Sequence, residues 1–302
     1  MTVSSRIACR LVLVSLCALP IYAADQSAPD GAYQQSFDKW KAELTEDRKD
    51  NWVSLAGLFW LKPGENKFGS DAKNDIVFPK GPAYAGSFFL VGKDVSIKLA
   101  PDAQVTVAGK PVTDSKLEAD VSGHPTVLEM GSLRFLVIVR GERVGIRLKD
   151  TESEAARNFH GLTFFPLDMN YRVTAKFEPA EGKQTVDVPS VLGDVNPTPV
   201  AGIVVFRLNG QELRLTDLGG DPANGLFFVF SDPTSKTDTY PGGRFLDTDP
   251  VVNGTVVLDF NRAHSPPCAV TAYATCPLAP KENRLQMAIP VGEKYDHAHG
   301  HH

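Results

Sequence analysis

The chain has 302 residues, a formal net charge of -5, 42% hydrophobic residues and four cysteines. Its 31 basic and 36 acidic residues are interspersed; a phosphate-backbone binder needs clustered Lys and Arg, so nucleic acid is not an expected partner. No stretch after the first 24 residues approaches the roughly 20 apolar residues needed to span a bilayer.

Residues 1–24 have the three parts of a secretory signal: Arg6 and Arg10, the apolar run Leu11 to Leu19, and Ile21-Tyr22-Ala23-Ala24. Cleavage after Ala23 or Ala24 is expected, giving a periplasmic or secreted protein whose net charge moves from -5 to -7 with the loss of two arginines and no acids. A lipoprotein would be acylated at Cys17, but Leu16 stands where such signals want a small residue. Cys9 and Cys17 leave with the signal, so only Cys268 and Cys276 remain. In an oxidising compartment they suggest a disulfide, closing a loop of about nine residues worth about 2.5 kcal/mol; a metal or redox pair is the alternative.

A polar leader and one helix occupy residues 25–51. Tyr33, Phe37, Trp40 and Leu44 recur at helical spacing, with Pro29-Asp30 as a start signal. From Trp52 the pattern becomes short apolar runs broken by Gly, Pro, Asn and Asp. Strands are expected over 95–99, 133–139, 144–148, 171–177, 203–208, 213–215, 226–230 and 256–260, with Asn209-Gly210 as a hairpin turn and Asn253-Gly254 just before another strand. The fold class is all-β. The polar run Lys149 to Glu154 divides two strand-rich parts, 52–149 and 150–295, and a His-rich tail covers 296–302.

The densest polar segment is Leu258-Asp259-Phe260-Asn261-Arg262-Ala263-His264-Ser265-Pro266-Pro267-Cys268, followed by Cys276-Pro277 and Lys281-Glu282-Asn283-Arg284. Prolines hold such a loop in few conformations, so its side chains are aimed at small entropic cost. Tyr240, Arg244, Asn261, Asn283 and Arg284 are candidate ligand contacts. Two guanidiniums converging on one pocket would suit a small anionic or polar molecule, though each could equally be salt-bridged to Asp259, Asp232 or Glu282. Asp259 and Glu282 are candidate acid–base groups for a hydrolase, the competing function; a third possibility is that the whole cluster is structural. Gly-x-Ser-x-Gly, His-Glu-x-x-His, phosphate-binding glycine loops and dinucleotide fingerprints are absent, and no cofactor is expected. His297, His299, His301 and His302 lie on a chain end without fixed geometry, so no metal role is assigned to them. His124 and His160 sit beside Pro125 and Gly161 and read as turn residues.

The order Gly64 to Ser70, Asn74-Asp75-Ile76-Val77-Phe78, Val105 to Val112 and Gly131-Ser132-Leu133-Arg134-Phe135 resembles the forkhead-associated β-sandwich. That family reads phosphothreonine through an arginine after the first glycine; here Ser70 stands there, no histidine precedes His124, and Ala108 replaces the asparagine before the hairpin glycine. The resemblance implies a fold without phosphopeptide binding. In the second half, Phe230-Ser231-Asp232-Pro233-Thr234-Ser235, Thr239-Tyr240-Pro241-Gly242-Gly243-Arg244-Phe245-Leu246 and the proline segment, with Trp60 to Gly69 and Phe159-His160-Gly161, resemble the domain of unknown function 1684 family. The resemblance runs from about Trp52 to Lys294, departs at His264-Ser265 where Tyr-Asn is expected, and implies no activity.

Overall fold

The computed structural model describes residues 29–297. The segment expected to be a secretory signal, with Cys9 and Cys17, and His299, His301 and His302, lie outside the described residues. The first element is helix α1, Gly31–Asp47, capped by the Asp30 carboxylate, which accepts from the Tyr33 amide at 2.7 Å. Its expected face is the packed one: Phe37 is buried and meets Trp40 and Phe164, each with ring centroids 5.5 Å away. The helix runs on into a π-helical turn, Arg48–Val53, which carries Arg48 into the interior.

Eleven strands follow: β1 Leu55–Trp60, β2 Gly64–Gly69, β3 Ile76–Val77, β4 Gly86–Val91, β5 Asp94–Leu99, β6 Thr106–Val107, β7 Lys110–Pro111, β8 Asp114–Leu117, β9 Leu128–Met130, β10 Leu133–Arg140 and β11 Arg143–Asp150. They form a six-stranded sheet, β1-β11-β10-β9-β6-β7, and a five-stranded sheet, β3-β2-β4-β5-β8. Alternate residues of both sheets meet in one core, where Phe68 and Phe88 stack at 4.5 Å and Phe78 meets Phe135 edge-on at 5.2 Å.

After a short helix α2, Glu154–Arg157, the second half builds β12 Arg172–Pro189, β13 Val195–Leu208, β14 Gln211–Thr216, β15 Phe227–Phe230, β16 Arg244–Asp247 and β17 Thr255–Asp259. The order β14-β13-β12-β17 makes an antiparallel sheet, and β15-β16 a separate hairpin. Asn209, at φ 49°, and Gly210, at φ 80°, turn β13 into β14 as expected of an Asn-Gly pair. A second core, built around Phe177, Phe206, Phe228, Phe230 and Phe260, joins these strands to the irregular C-terminal strap of Leu285 to Val291. The all-β class and the single N-terminal helix of the sequence reading are both present. No helix among the described residues is long and apolar enough to cross a membrane.

Candidate functional site

Asp259 ends β17, and the β12–β17 register sets it directly across from Arg172. Cross-strand neighbours of opposite charge attract, and Arg172 Nε lies 3.6 Å from Asp259 Oδ2. The chain then tightens into a 3-10 turn, Phe260–Arg262, which returns Arg262 Nε to 3.5 Å from the same oxygen. From α1, the Tyr33 hydroxyl donates to the carboxylate at 2.9 Å. One carboxylate therefore serves two guanidiniums and a phenol. The Tyr33 phenol is pushed up by burial and by the Asp259 charge.

These groups line a cleft of about 590 Å3, walled by Tyr33, Ser36 and Trp40 of α1 and by Arg172, Asp259, Arg262 and His264, with Asp247 from the end of β16 and Asp249 from the segment that follows it. Arg262 Nη2 donates to Ser36 Oγ at 2.7 Å and its guanidinium lies over the Trp40 ring at 5.7 Å. Arg172 lies over the Tyr33 ring and keeps 41% of its side chain exposed. Burial pushes the Asp247 carboxyl upward. The His264 ring, packed on Trp40 and Phe245, is lowered to about 4, chiefly by burial and then by the Arg48 charge. Among the described residues no group of three His, Cys, Asp or Glu side chains is placed to hold a metal ion. The arrangement can bind a polar group between aromatic faces and charged hydrogen-bonding edges.

The family model described as a protein of unknown function, DUF1684, matches residues 157–294. An uncharacterized protein of Haloarcula marismortui, solved by solution NMR, is 32% identical to this chain over 48% of its length and 82% of the other's, with a TM-score of 0.40. The chain belongs to the DUF1684 family. No curated protein matches it. Arg172, Asp259, Arg262 and His264 of the cleft fall within the matched segment, while Tyr33, Ser36 and Trp40 come from outside it.

In this DUF1684 protein the other sequence candidates have structural partners. Arg244 has no exposed surface: Nη2 meets Asp232 Oδ1 at 3.0 Å and the Ile289 carbonyl at 2.9 Å, and Nη1 donates to the Val291 carbonyl. It fastens the C-terminal strap to β16 and does not reach the cleft. Asn261 is buried and bonds both the amide and the carbonyl of Asp168, at 2.9 and 3.0 Å, besides a 3.3 Å bond to Asp259. Asn283 does the same to Thr216, at 2.7 and 2.8 Å, extending the edge of β14 as another strand would. Glu282 is exposed and pairs with Lys281 at 3.8 Å, so it is not brought to Asp259. Arg284 is exposed, with Nε directed at the Ala279 carbonyl at 3.4 Å. Tyr240 packs edge-on against Tyr295 at 5.1 Å and lines no part of the cleft.

Cys268 and Cys276 are both buried and adjacent, yet they stand as free thiols and not as the expected bridge. Each backbone N–H donates to the other's sulfur, at 3.2 and 3.4 Å, which satisfies both loop ends without an S–S bond. The hydrogen bond between the thiols lowers Cys268 and raises Cys276.

Sequence reasoning missed Arg172, Tyr33 and Trp40 as cleft residues. Their only local signals were a helix face and a strand start, and both have an ordinary packing explanation.

Proposed function

We propose that this protein recognises a small anionic or polar ligand in the cleft between α1 and the C-terminal β domain. The observation that carries the proposal is the shared carboxylate: Arg172 and Arg262 both lean on Asp259, so one charge is set against two. A ligand carboxylate or phosphate at the Arg172 edge would supply the second partner through charge-assisted, planar hydrogen bonds. Tyr33 and Trp40 offer apolar faces for the remainder of such a ligand. Binding is favoured over hydrolysis because Glu282, the intended partner of Asp259, lies outside the cleft.

Export completes the proposal. The signal-like segment supports a periplasmic or secreted location. The first half acts as a forkhead-associated-like scaffold without phosphopeptide recognition, which is supported by the Ser70 hydroxyl being committed to the Gly81 and Pro82 carbonyls at 2.8 and 3.2 Å.

The test is a thermal-shift screen with carboxylated and phosphorylated metabolites, repeated on Arg172→Ala. Arg172 is exposed enough for its removal to leave the fold intact. A ligand that stabilises the parent should lose at least tenfold in affinity in the variant, about 1.4 kcal/mol. If no compound stabilises the parent, or the variant binds as well as the parent, the cleft is not the ligand site.

A further inference from the structure

A second cavity lies away from the Asp259 cleft. It has a volume of about 950 Å3 and brings the Phe159-His160-Gly161 segment against the chain's last described residues, Glu293 to His297. Phe159, Leu162, Val53 and Val270 make most of its wall apolar, and a few acids and a phenol converge on it. That combination is the usual composition of a small-molecule site.

Two of the polar groups are nearly inaccessible from outside. Glu293 is 4% exposed and Tyr295 is 9% exposed, and the buried Tyr295 hydroxyl has no hydrogen-bond partner among the described residues. An orphaned buried hydroxyl costs free energy unless something occupies the space beside it. Glu293 is placed by Gly292, whose φ of +86° and 2.5 Å approach of a would-be Cβ to the Ala263 carbonyl admit no larger residue. One carboxylate oxygen accepts from the Ser265 amide at 3.0 Å.

The charges around this space are mainly acidic. Asp238 joins Glu293 on the wall, with its backbone carbonyl accepting from the Tyr295 amide at 2.8 Å. The one lysine of the lining, Lys294, holds its ammonium over the ring of Phe165, which is not a wall residue, at 5.0 Å. Arg48 is the buried cation whose charge acts on Glu293; its Nη2 donates to the Ser265 carbonyl at 2.7 Å, while Nε and Nη1 have no hydrogen-bond partner among the described residues. We propose that this cavity binds an organic cation, a primary ammonium on a compact apolar body, with Glu293 and Asp238 as its counter-charges and Tyr295 as its hydrogen-bond acceptor.

The protonation of Glu293 agrees with such a role. Burial raises its carboxyl to about 7, against the opposing pull of Arg48, the Ser265 amide and hydroxyl, and Arg244. It shares the cavity wall with Asp238, His160, Asp296 and His297. A carboxyl poised near neutrality ionises when a cation arrives, so binding near pH 6 should expel a proton.

Benzylamine is the probe, with benzyl alcohol and benzoate as neutral and anionic matches of the same size, titrated calorimetrically into the full chain. Benzylamine should bind and the other two should not. Its heat at pH 6 should vary with the ionisation enthalpy of the buffer. Tyr295→Phe and Asp238→Asn, which leave Glu293 in place, should each weaken binding several-fold, and Glu293→Gln at least tenfold where circular dichroism shows it folded. Arg172→Ala should leave benzylamine binding unchanged, which separates this site from the Asp259 cleft. Absence of benzylamine binding, equal binding of benzoate or benzyl alcohol, or indifference to Tyr295→Phe and Asp238→Asn would overturn the assignment.

Discussion

Arg244 and Asp232 form an ion pair at 3.0 Å in which neither side chain has any exposed surface. Asp232 also accepts from the Ile289 amide at 2.7 Å and caps the 3-10 turn Pro233–Lys236, while Arg244 holds two carbonyls of the strap. The pair therefore stitches β16, the turn after β15 and the C-terminal strap into one unit. Burial lowers the Arg244 guanidinium even though Asp232 pulls it the other way. Removing one partner leaves the other charge stranded in the core. Asp232→Asn should cost about 3–5 kcal/mol, a fall in Tm on the order of 10 °C. Melting curves decide the matter; a variant within 2 °C or so of the parent would show that the pair contributes little.

Helix α1, the Asn-Gly hairpin and the strands expected at 95–99, 133–139 and 144–148 were legible because each depends on neighbours within a few residues, whereas the expectations at 171–177 and 203–208 covered only part of β12 and β13. A 3.6-residue stripe, a turn pair with φ > 0 and an alternating run are all local. The roles of the polar segment were not legible. Asp259 and Asn261 sit two residues apart in the same segment, yet Asp259 faces a cleft and Asn261 clamps Asp168 in the interior. Their difference is decided by the 3-10 turn that follows β17 and by strand register with β12, neither of which periodicity reveals. For Arg244 the sequence left a ligand contact and a salt bridge to Asp232 both open, and the salt bridge is the one that forms, with the two carbonyls coming from the strap.

Asn283 replaces a missing strand at the edge of β14. Its amide satisfies the Thr216 N–H and carbonyl together. Asn283→Leu orphans both groups, each of which costs about 1–3 kcal/mol when buried without a partner. The variant should lose several kcal/mol in urea unfolding at unchanged m-value. A loss below about 1 kcal/mol would mean that water reaches Thr216 and replaces the side chain.

Phe37 couples the helix to the cleft. It is 4% exposed, packs at a tilt against Trp40, a wall residue, and meets Phe164 edge-on. Phe37→Ala should destabilise by about 3–5 kcal/mol through lost burial and the cavity left behind. Because Tyr33 and Trp40 ride on the same helix, any ligand found for the Asp259 cleft should also bind more weakly in the variant. Unchanged affinity in a destabilised Phe37→Ala protein would detach α1 from recognition.

Two buried titrating groups oppose each other in acid. Glu293 is raised to about 7 in the fold from an ordinary value of 4.5. Between those pH values the native state holds a proton that the unfolded chain has released, so stability falls as pH rises from about 4.5 and the loss is complete above about 7; a shift of this size is worth about 3 kcal/mol. His264 is lowered to about 4 from 6.5. There the unfolded chain binds the extra proton, so its contribution is full above about 6.5 and is lost as pH falls towards 4. Its ring retains access to the cleft, so the histidine effect is the smaller of the two. Urea unfolding from pH 4.5 to 7.5 should therefore show only a shallow decline in the parent. Glu293→Gln removes the falling component and should become more stable, relative to its own value at pH 4.5, as pH rises to 6.5. His264→Gln removes the rising component and should steepen the parent's decline. Parallel curves for all three proteins would mean that neither group titrates in the fold at these positions.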